Sequence, residues 1–170
     1  NKFVFGDGNA KADIMFIGEA PGRDEDAQGI PFVGKAGQLL TKIIASIQLT
    51  RQEVYITNIN KCRPPNNRTP SLDEMETCMP YLQQQIAIIQ PKIICLLGAT
   101  ALKGLFQKEV SISAMRGRIH NYQGIDVIVT YHPAALLRYE KFKRPTWEDM
   151  KMLRKLYDEK YLKQPFILEK

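Results

Sequence analysis

Four short runs of apolar and β-branched residues recur along the chain, at positions 13–18, 54–59, 92–97 and 125–131. The first three runs are almost continuously apolar, which is typical of strands buried on both faces of a parallel sheet. A short buried helix is the alternative for each run, but the run lengths and the flanking Gly and Pro residues favour strands. The pattern therefore predicts four strands.

Segments with the apolar spacing of helices lie between these runs. One predicted helix follows Gly34. Three others cover residues 72–89, 99–106 and about 146–161. Alternation of strands and helices predicts the α/β class, as a three-layer α/β/α sandwich around a four-stranded parallel sheet. A functional site then lies at the carboxyl ends of the strands.

Composition and charge narrow the class of protein. A length of 170 residues fits one domain, which we place at 1–162, followed by a C-terminal tail at 163–170. A hydrophobic fraction of 44% with 25% charged residues excludes a disordered tail or a coiled coil. No apolar run approaches the roughly 20 residues of a membrane span, which excludes a transmembrane protein. The net charge of +6 favours a polyanionic partner.

The three cysteines, an odd number, argue against a disulfide framework and predict a reducing, cytoplasmic location. Cys95 lies inside the third predicted strand, where we expect it to be a small core residue. The chain begins at Asn1 rather than Met, which favours a trimmed N-terminus.

Polar and turn-forming residues follow three of the predicted strands, in segments 18–34, 58–68 and 131–138. These segments supply glycines, prolines, carboxylates, an aromatic ring, an amide and an imidazole, which are the groups needed to bind a planar heterocycle. Basic residues surround them: Lys61, Arg63, Arg68, Arg116, Arg118, Arg138, Lys141, Lys143 and Arg144. A cationic rim around a pocket of this kind predicts a nucleic-acid substrate.

Three motifs in this order resemble the uracil-DNA glycosylase superfamily: GEAPGRDED with GIPFVGKAG, then TNINKCRPPNNRTP, then TYHPAALLR. Within it the chain resembles the family 4 enzymes, which contain an iron–sulfur cluster, over about residues 4–147. The resemblance implies a monofunctional DNA repair glycosylase that flips uracil out of DNA and hydrolyses the N-glycosidic bond, leaving an abasic site. It implies uracil-containing DNA as the partner, a monomer, and no metal in the chemistry.

The resemblance also implies a uracil pocket. Its floor is formed by the first motif: Gly18, Glu19, Ala20 and Pro21. Phe32 stacks on the flipped base, Asn58 binds the uracil edge, and His132 lies by uracil O2, where it stabilises the charge that develops on the base. Without the motifs, an ordinary core residue is an equally good interpretation of Phe32. For Asn58 the alternative is a turn former.

The residue that activates water has several candidates. The best-known branch of the superfamily reads GQDPY in the first motif, and this chain has Ala20 where that aspartate stands. Glu19, Glu25 and Asp26 are therefore the candidates, with Glu19 preferred because it is fixed between Gly18 and Ala20. A solvated acidic loop is the alternative for the other two.

For DNA contacts, the resemblance matches Leu136, with Leu137 beside it, to the apolar wedge that fills the space left by the extruded nucleotide. The alternative is that these leucines begin a buried helix. We expect Arg63, Arg68 and Arg138 to contact DNA.

Cys62 and Cys78 match two of the four cluster ligands of family 4. The family's other two ligands form a Cys-x-x-Cys pair upstream of the VFG segment, and this sequence has no such pair there. A cubane cluster needs four thiolates, so we expect a structural 4Fe-4S cluster only if that N-terminal pair exists in the full-length protein.

Two further classes stay open. One is a superfamily relative with shifted chemistry, such as a covalent uracil binder or a hypoxanthine-directed glycosylase. Covalent relatives carry a histidine in an insertion after the second strand, where this chain has none, and the similar-looking RGRIH at 116–120 lies in another loop, so we assign His120 no role. The other is a non-catalytic nucleic-acid-binding module of the same superfamily.

Overall fold

The computed structural model describes residues 2–168, and its centre is a six-stranded sheet. The strands are β1 (Asp7–Gly8), β2 (Ile14–Gly18), β3 (Tyr55–Asn58), β4 (Ile93–Leu97), β5 (His120–Tyr122) and β6 (Ile125–Thr130). Their order across the sheet is β1-β3-β2-β4-β6-β5, and the four inner strands run parallel. The inner strands confirm the predicted parallel sheet.

The predicted number of strands is too low by two, because β1 and β5 pair antiparallel at the two edges of the sheet. These strands have only two and three residues, and none of those residues is buried. No apolar run marks them in the sequence, so the hydrophobic pattern could not reveal them.

Seven α-helices lie between the described strands or follow the last of them. They are α1 (Arg23–Gln28), α2 (Lys35–Ser46), α3 (Leu72–Ile89), α4 (Ala99–Phe106), α5 (Ile112–Met115), α6 (Pro133–Arg138) and α7 (Lys143–Leu156). The predicted helices correspond to α2, α3, α4 and α7, the last of which continues as a π-helical turn over Tyr157–Tyr161. The helices that the pattern missed have four to six residues, too few for an amphipathic repeat.

Side chains that alternate along the strands divide the core into two layers. On β2, Ile14 and Phe16 pack with residues of α2 and α7, whereas Met15 and Ile17 pack with residues of α3 and α4 on the other face. This arrangement is the predicted three-layer α/β/α sandwich. Cys95 is fully buried in the layer with α2 and α7, as predicted for a core residue.

Local signals fix the ends of the longest helix. The Ser71 hydroxyl accepts a hydrogen bond from the Glu74 amide at 3.2 Å, and the Glu74 carboxylate accepts one from the Ser71 amide at 2.9 Å. This is a capping box, which satisfies two backbone donors at the start of α3. Gln90 ends the helix in the left-handed conformation, directly before Pro91.

The described part of the C-terminal tail, residues 163–168, folds back on Asp158. The buried Asp158 carboxylate accepts hydrogen bonds from the Gln164 side chain and from the Ile167 amide, both at 2.9 Å, and pairs with Arg154 at 2.9 Å. Positions 1, 169 and 170 of the predicted domain and tail lie outside the described residues. Between residues 2 and 168, no helix is both long and apolar enough to cross a membrane.

Candidate active site

The three polar segments that follow β2, β3 and β6 meet at one edge of the sheet. Together they enclose a cavity of about 280 Å³, which we call the base cavity. Its lining residues are Ala20, Gly22, Glu25, Phe32, Ala36, Gly37, Asn58, Asn67, His132 and Ala134. Parallel strands bring their carboxyl ends to the same edge, so residues more than 100 positions apart share this cavity.

Gly18 allows the close approach on which the cavity depends. It pairs with Asn58 across β2 and β3, and a Cβ atom at position 18 would lie 2.5 Å from the Phe32 ring and 2.6 Å from Asn58 Oδ1. Any larger residue would displace one of these two side chains. A glycine at the end of β2 therefore lets the Phe32 ring and the Asn58 amide line the same cavity.

Phe32 holds an uncommon backbone conformation, with φ at 55°. The guanidinium of Arg51 donates to the Phe32 carbonyl oxygen at 2.6 Å and to the Pro31 carbonyl oxygen at 2.7 Å. A Cβ atom at Gly37 would lie 1.9 Å from the Phe32 carbonyl carbon, so α2 packs directly on this peptide. A strained conformation persists only where its surroundings impose it, and these contacts do so.

Asn58 places its amide in the base cavity at the end of β3. The residue is 2% exposed, and its side-chain oxygen accepts no hydrogen bond from any residue between 2 and 168. Burying such an acceptor without a partner costs about 1–3 kcal/mol, and this acceptor belongs to a residue that lines a cavity, where a ligand would satisfy it.

A buried lysine supports Asn58 from behind. Lys61 Nζ donates to the Asn58 carbonyl oxygen at 2.7 Å, to Thr57 Oγ1 at 2.6 Å and to Gln85 Oε1 at 2.7 Å. Burial lowers the pKa of Lys61 to about 7. The prediction that Lys61 belongs to the basic rim is wrong, because its side chain is fully buried and fixes the end of β3.

His132 is the N-cap of α6, and its ring lies near that of Phe32, with centroids 5.6 Å apart. The Ala134 amide donates to His132 Nδ1 at 3.0 Å, which leaves the proton of a neutral imidazole on Nε2. Burial lowers the pKa of His132 to about 4, against the opposing effect of the Glu25 carboxylate. His132 is therefore a neutral hydrogen-bond donor at physiological pH.

Glu25 and Asp26 differ in their surroundings. The Glu25 carboxylate accepts backbone hydrogen bonds from Gly22 at 3.0 Å and from Val33 and Gly34 at 2.7 Å each, which ties the first motif to the Phe32 loop. Asp26 accepts a hydrogen bond from the Lys2 amide at 2.8 Å and does not line the base cavity.

Glu19 faces a second cavity of about 360 Å³ beside the first, which we call the side cavity. Thr100 Oγ1, at the start of α4, donates to Glu19 Oε2 at 2.5 Å. Asn67, His132 and Ala134 line both cavities, so the Glu19 carboxylate and the base cavity adjoin through His132.

Comparison with known proteins identifies the family. The profile described as "Uracil DNA glycosylase superfamily" matches residues 5–151. The chain belongs to the uracil DNA glycosylase superfamily. A type-4 uracil-DNA glycosylase of Archaeoglobus fulgidus is 45% identical over 166 residues, which cover 93% of this chain and 83% of that protein.

Two further relatives with the same description agree with this membership. The type-4 uracil-DNA glycosylase of Sulfurisphaera tokodaii is 49% identical over 162 residues, covering 90% of this chain and 74% of that protein. The enzyme of Thermotoga maritima is 50% identical over 137 residues, covering 79% and 71% respectively. The predicted resemblance to this superfamily and to its family 4 is confirmed.

The two leucines that the superfamily resemblance suggested as a wedge have different environments. Leu136 is 5% exposed, whereas Leu137 is 54% exposed. Both lie on the short helix α6, so the alternative of a buried helix holds for Leu136 alone. Arg138 ends the same helix, is exposed and lines the side cavity.

The other predicted DNA-contacting residues lie on the loop between β3 and α3. Arg63 donates to Asn67 Oδ1 at 2.7 Å, and Arg68 pairs with Glu74 at 2.5 Å. The Arg68 guanidinium holds the pKa of Glu74 at about 2. Because Asn67 lines both cavities, Arg63 is linked to the site through one hydrogen bond.

Cys62 is exposed and Cys78 is buried. Partial desolvation raises the pKa of Cys62, and negative charge on the nearby Cys78 sulfur raises it further. Cys78 Sγ accepts a hydrogen bond from the Lys61 amide at 3.4 Å. Over residues 2–168, no three His, Cys, Asp or Glu side chains are grouped so that they could hold a metal ion. Two thiols form half of a four-thiolate donor set, so the described residues do not by themselves fit a 4Fe-4S cluster.

Proposed function

We propose that this chain is a monofunctional uracil-DNA glycosylase that extrudes uracil from DNA and hydrolyses its N-glycosidic bond, leaving an abasic site. The buried side-chain oxygen of Asn58 in the base cavity, which has no hydrogen-bond partner within residues 2–168, carries this proposal. An amide offers both an acceptor and donors, which match N3–H and O4 of uracil and mismatch the edge of cytosine. The description of the relatives as type-4 uracil-DNA glycosylases supports the same substrate.

Phe32 supplies the aromatic face against which the extruded base stacks. Its ring lies against Gly18, and Ala20 is the residue of the predicted pocket floor that lines the base cavity. The contacts of Arg51 and Gly37 fix the Phe32 backbone before the base arrives, which reduces the cost of ordering this residue on binding.

His132 stabilises the leaving group. When the N1–C1′ bond breaks, its electron pair stays with uracil, which leaves as an anion with charge on O2. The neutral His132 donates from Nε2 to that oxygen, because the Ala134 amide occupies Nδ1. A donor that is fixed in advance toward developing charge is worth about 10²–10³ in rate.

Glu19 orients the water that attacks C1′. Its carboxylate accepts the water proton as the new C1′–O bond forms, and its negative charge stabilises the oxocarbenium-like sugar. Thr100 holds Glu19 Oε2 in the side cavity, next to His132. Glu25 positions the loop, and Asp26 lies outside both cavities, so these two predicted alternatives have less support.

Leu137, rather than Leu136, is the wedge that fills the space left by the extruded nucleotide, because only Leu137 is exposed. Arg138 and Arg63 lie next to the cavities and neutralise phosphates, and Arg68 extends the same basic surface.

A structural 4Fe-4S cluster stays a prediction, with Cys62 and Cys78 as two of its ligands. No step of the proposed chemistry uses it. Iron and acid-labile sulfide in the purified protein, lost in Cys62→Ser and Cys78→Ser variants, would support the cluster. The three free thiols fit a reducing, cytoplasmic location, which we also propose.

The test is incubation of the protein with a labelled oligonucleotide that contains one uracil, beside a thymine control, followed by alkaline cleavage. Scission at uracil alone supports the glycosylase. DNA binding without abasic product would contradict it and favour the non-catalytic module.

A further inference from the structure

Exposed side chains continue beyond Leu137 at the end of α6. Tyr139 is the C-cap of this helix, where its amide donates to the Ala135 carbonyl oxygen at 2.8 Å, and its side chain is 52% exposed. A 3₁₀ turn over Glu140–Phe142 follows and leads into α7. We call residues 137–142 the surface segment.

The Tyr139 ring is exposed but fixed from the side. Its centroid lies 5.9 Å from that of Phe142, with the rings at 89°. Phe142 in turn packs on Tyr131, with centroids 4.3 Å apart, and Tyr131 directly precedes His132. This chain of aromatic contacts connects the position of the Tyr139 ring to the strand end that carries His132.

Charge around the Tyr139 ring is mainly positive. Lys141 Nζ lies 5.8 Å from the centroid of Tyr139 and 5.2 Å from that of Phe142. Residues 137–144 contain four basic side chains and one acidic side chain, Glu140, which pairs with Lys143 at 3.2 Å. An exposed aromatic ring beside ammonium and guanidinium groups is the arrangement that binds single-stranded nucleic acid, in which bases stack and cations neutralise phosphates.

We propose that Tyr139 stacks on the nucleobase adjacent to the extruded uridine in single-stranded DNA. When uracil enters the base cavity, the neighbouring base loses a stacking partner on one face, and Tyr139 replaces that partner. Lys141 neutralises the phosphate of the same nucleotide. This inference rests on the proposed function and adds a contact that acts on substrate binding rather than on bond cleavage.

The experiment compares wild type, Tyr139→Leu and Tyr139→Phe on a single-stranded oligonucleotide with one uracil. Two further oligonucleotides carry a tetrahydrofuran abasic residue immediately 5′ or 3′ of the uridine. Loss of one stacked base raises KM by about tenfold. We expect this rise for Tyr139→Leu on the complete oligonucleotide, with kcat unchanged, whereas Tyr139→Phe keeps the wild-type KM.

The abasic substrates distinguish stacking from a structural effect. One of the two abasic substrates should raise the KM of wild type about tenfold. The same substrate should leave the KM of Tyr139→Leu unchanged, because this variant already lacks the ring that stacks on the missing base. The inference would be overturned if Tyr139→Leu kept the wild-type KM. It would also be overturned if the abasic substrate raised the KM of Tyr139→Leu by the same factor as it raises that of wild type. Excision by wild type without this coupling overturns the inference alone, and no excision at all overturns the proposed function with it.

Tyr81→Leu is the matched control. Tyr81 lies on α3, is 43% exposed, and contacts a phenylalanine ring, Phe3, edge-on with centroids 5.1 Å apart. It lines neither cavity. We expect Tyr81→Leu to keep the wild-type KM on all three substrates, with a thermal midpoint similar to that of Tyr139→Leu.

Discussion

The base cavity and the surface segment lie at the same edge of the sheet, yet they are held in different ways. In the cavity, the Glu25 carboxylate accepts three backbone hydrogen bonds, and the Phe32 carbonyl oxygen accepts one from the Arg51 guanidinium. In the surface segment, Leu137 and Tyr139 are more than half exposed. Rigid placement suits groups that stabilise a transition state, whereas exposed groups suit the first contact with DNA. Changes in the cavity should therefore lower kcat, and changes in the surface segment should raise KM.

We expect the largest loss of excision rate for substitution of Glu19. Removal of a catalytic base costs about 10²–10⁴ in rate, so we expect Glu19→Gln to lower single-turnover excision by about 10³. Asp26→Asn tests the competing carboxylate and should retain activity within about twofold, because its side chain lies outside both cavities. Equal losses in the two variants would contradict the assignment of Glu19.

His132→Ala is expected to lower kcat by about 10²–10³, with little change in KM, because the donor to uracil O2 is lost. His120→Ala is the matched control, since the His120 ring bonds the Met115 carbonyl oxygen at 2.7 Å and lies in neither cavity. A loss that appears in KM alone would show that His132 acts in binding rather than in bond cleavage.

Leu136 and Leu137 are neighbours on α6, but Leu136 is buried and Leu137 lies exposed in the surface segment. We expect Leu137→Ala to raise KM by about tenfold, because an exposed wedge contributes to extrusion of the base. Leu136→Ala removes a buried side chain, and we expect it to lower the free energy of unfolding by about 2–5 kcal/mol. Steady-state kinetics and urea unfolding of both variants check this; the reverse pattern would restore Leu136 as the wedge.

The smallest expected effect concerns pH. The pKa of His132 is about 4 in the folded chain and near 6.5 when unfolded, so between these values the unfolded chain binds more protons. This contribution to stability is complete above about pH 6.5 and is lost as the pH falls toward about 4. The difference in unfolding free energy between wild type and His132→Ala should therefore shrink from pH 7 to pH 5, as urea titrations can measure. A constant difference would contradict burial of a neutral imidazole.

Much of the fold follows from the sequence because its parallel strands are buried on both faces and read as continuous apolar runs. The edge strands β1 and β5 cannot be predicted in this way, since their side chains are not buried. They are defined by backbone pairing with β3 and β6. Motif order also locates Phe32, Asn58 and His132, which the structure brings to one cavity, while their chemical roles stay predictions.

Other parts of the site depend on contacts that no local pattern records. Arg51 lies 19 positions from Phe32 and outside every motif, so its hydrogen bond to that backbone had no sequence signal. In the sequence, Lys61 looks like one more basic residue of the rim. In the structure it is buried and bonds the Asn58 carbonyl oxygen. Which of Leu136 and Leu137 is exposed depends on how α6 packs, and the two residues are indistinguishable in the sequence.

Single-turnover uracil release by wild type, Asn58→Ala and Asn60→Ala on one uracil oligonucleotide tests whether Asn58 binds the uracil edge. Asn60 is a matched control, because it is also buried with an unpartnered side-chain oxygen among residues 2–168 but lines neither cavity. Loss of both hydrogen bonds to the uracil edge should lower the rate of Asn58→Ala by about 10³ or more, while Asn60→Ala stays within about tenfold of wild type. Near-wild-type excision by a folded Asn58→Ala variant would contradict the assignment of the base cavity.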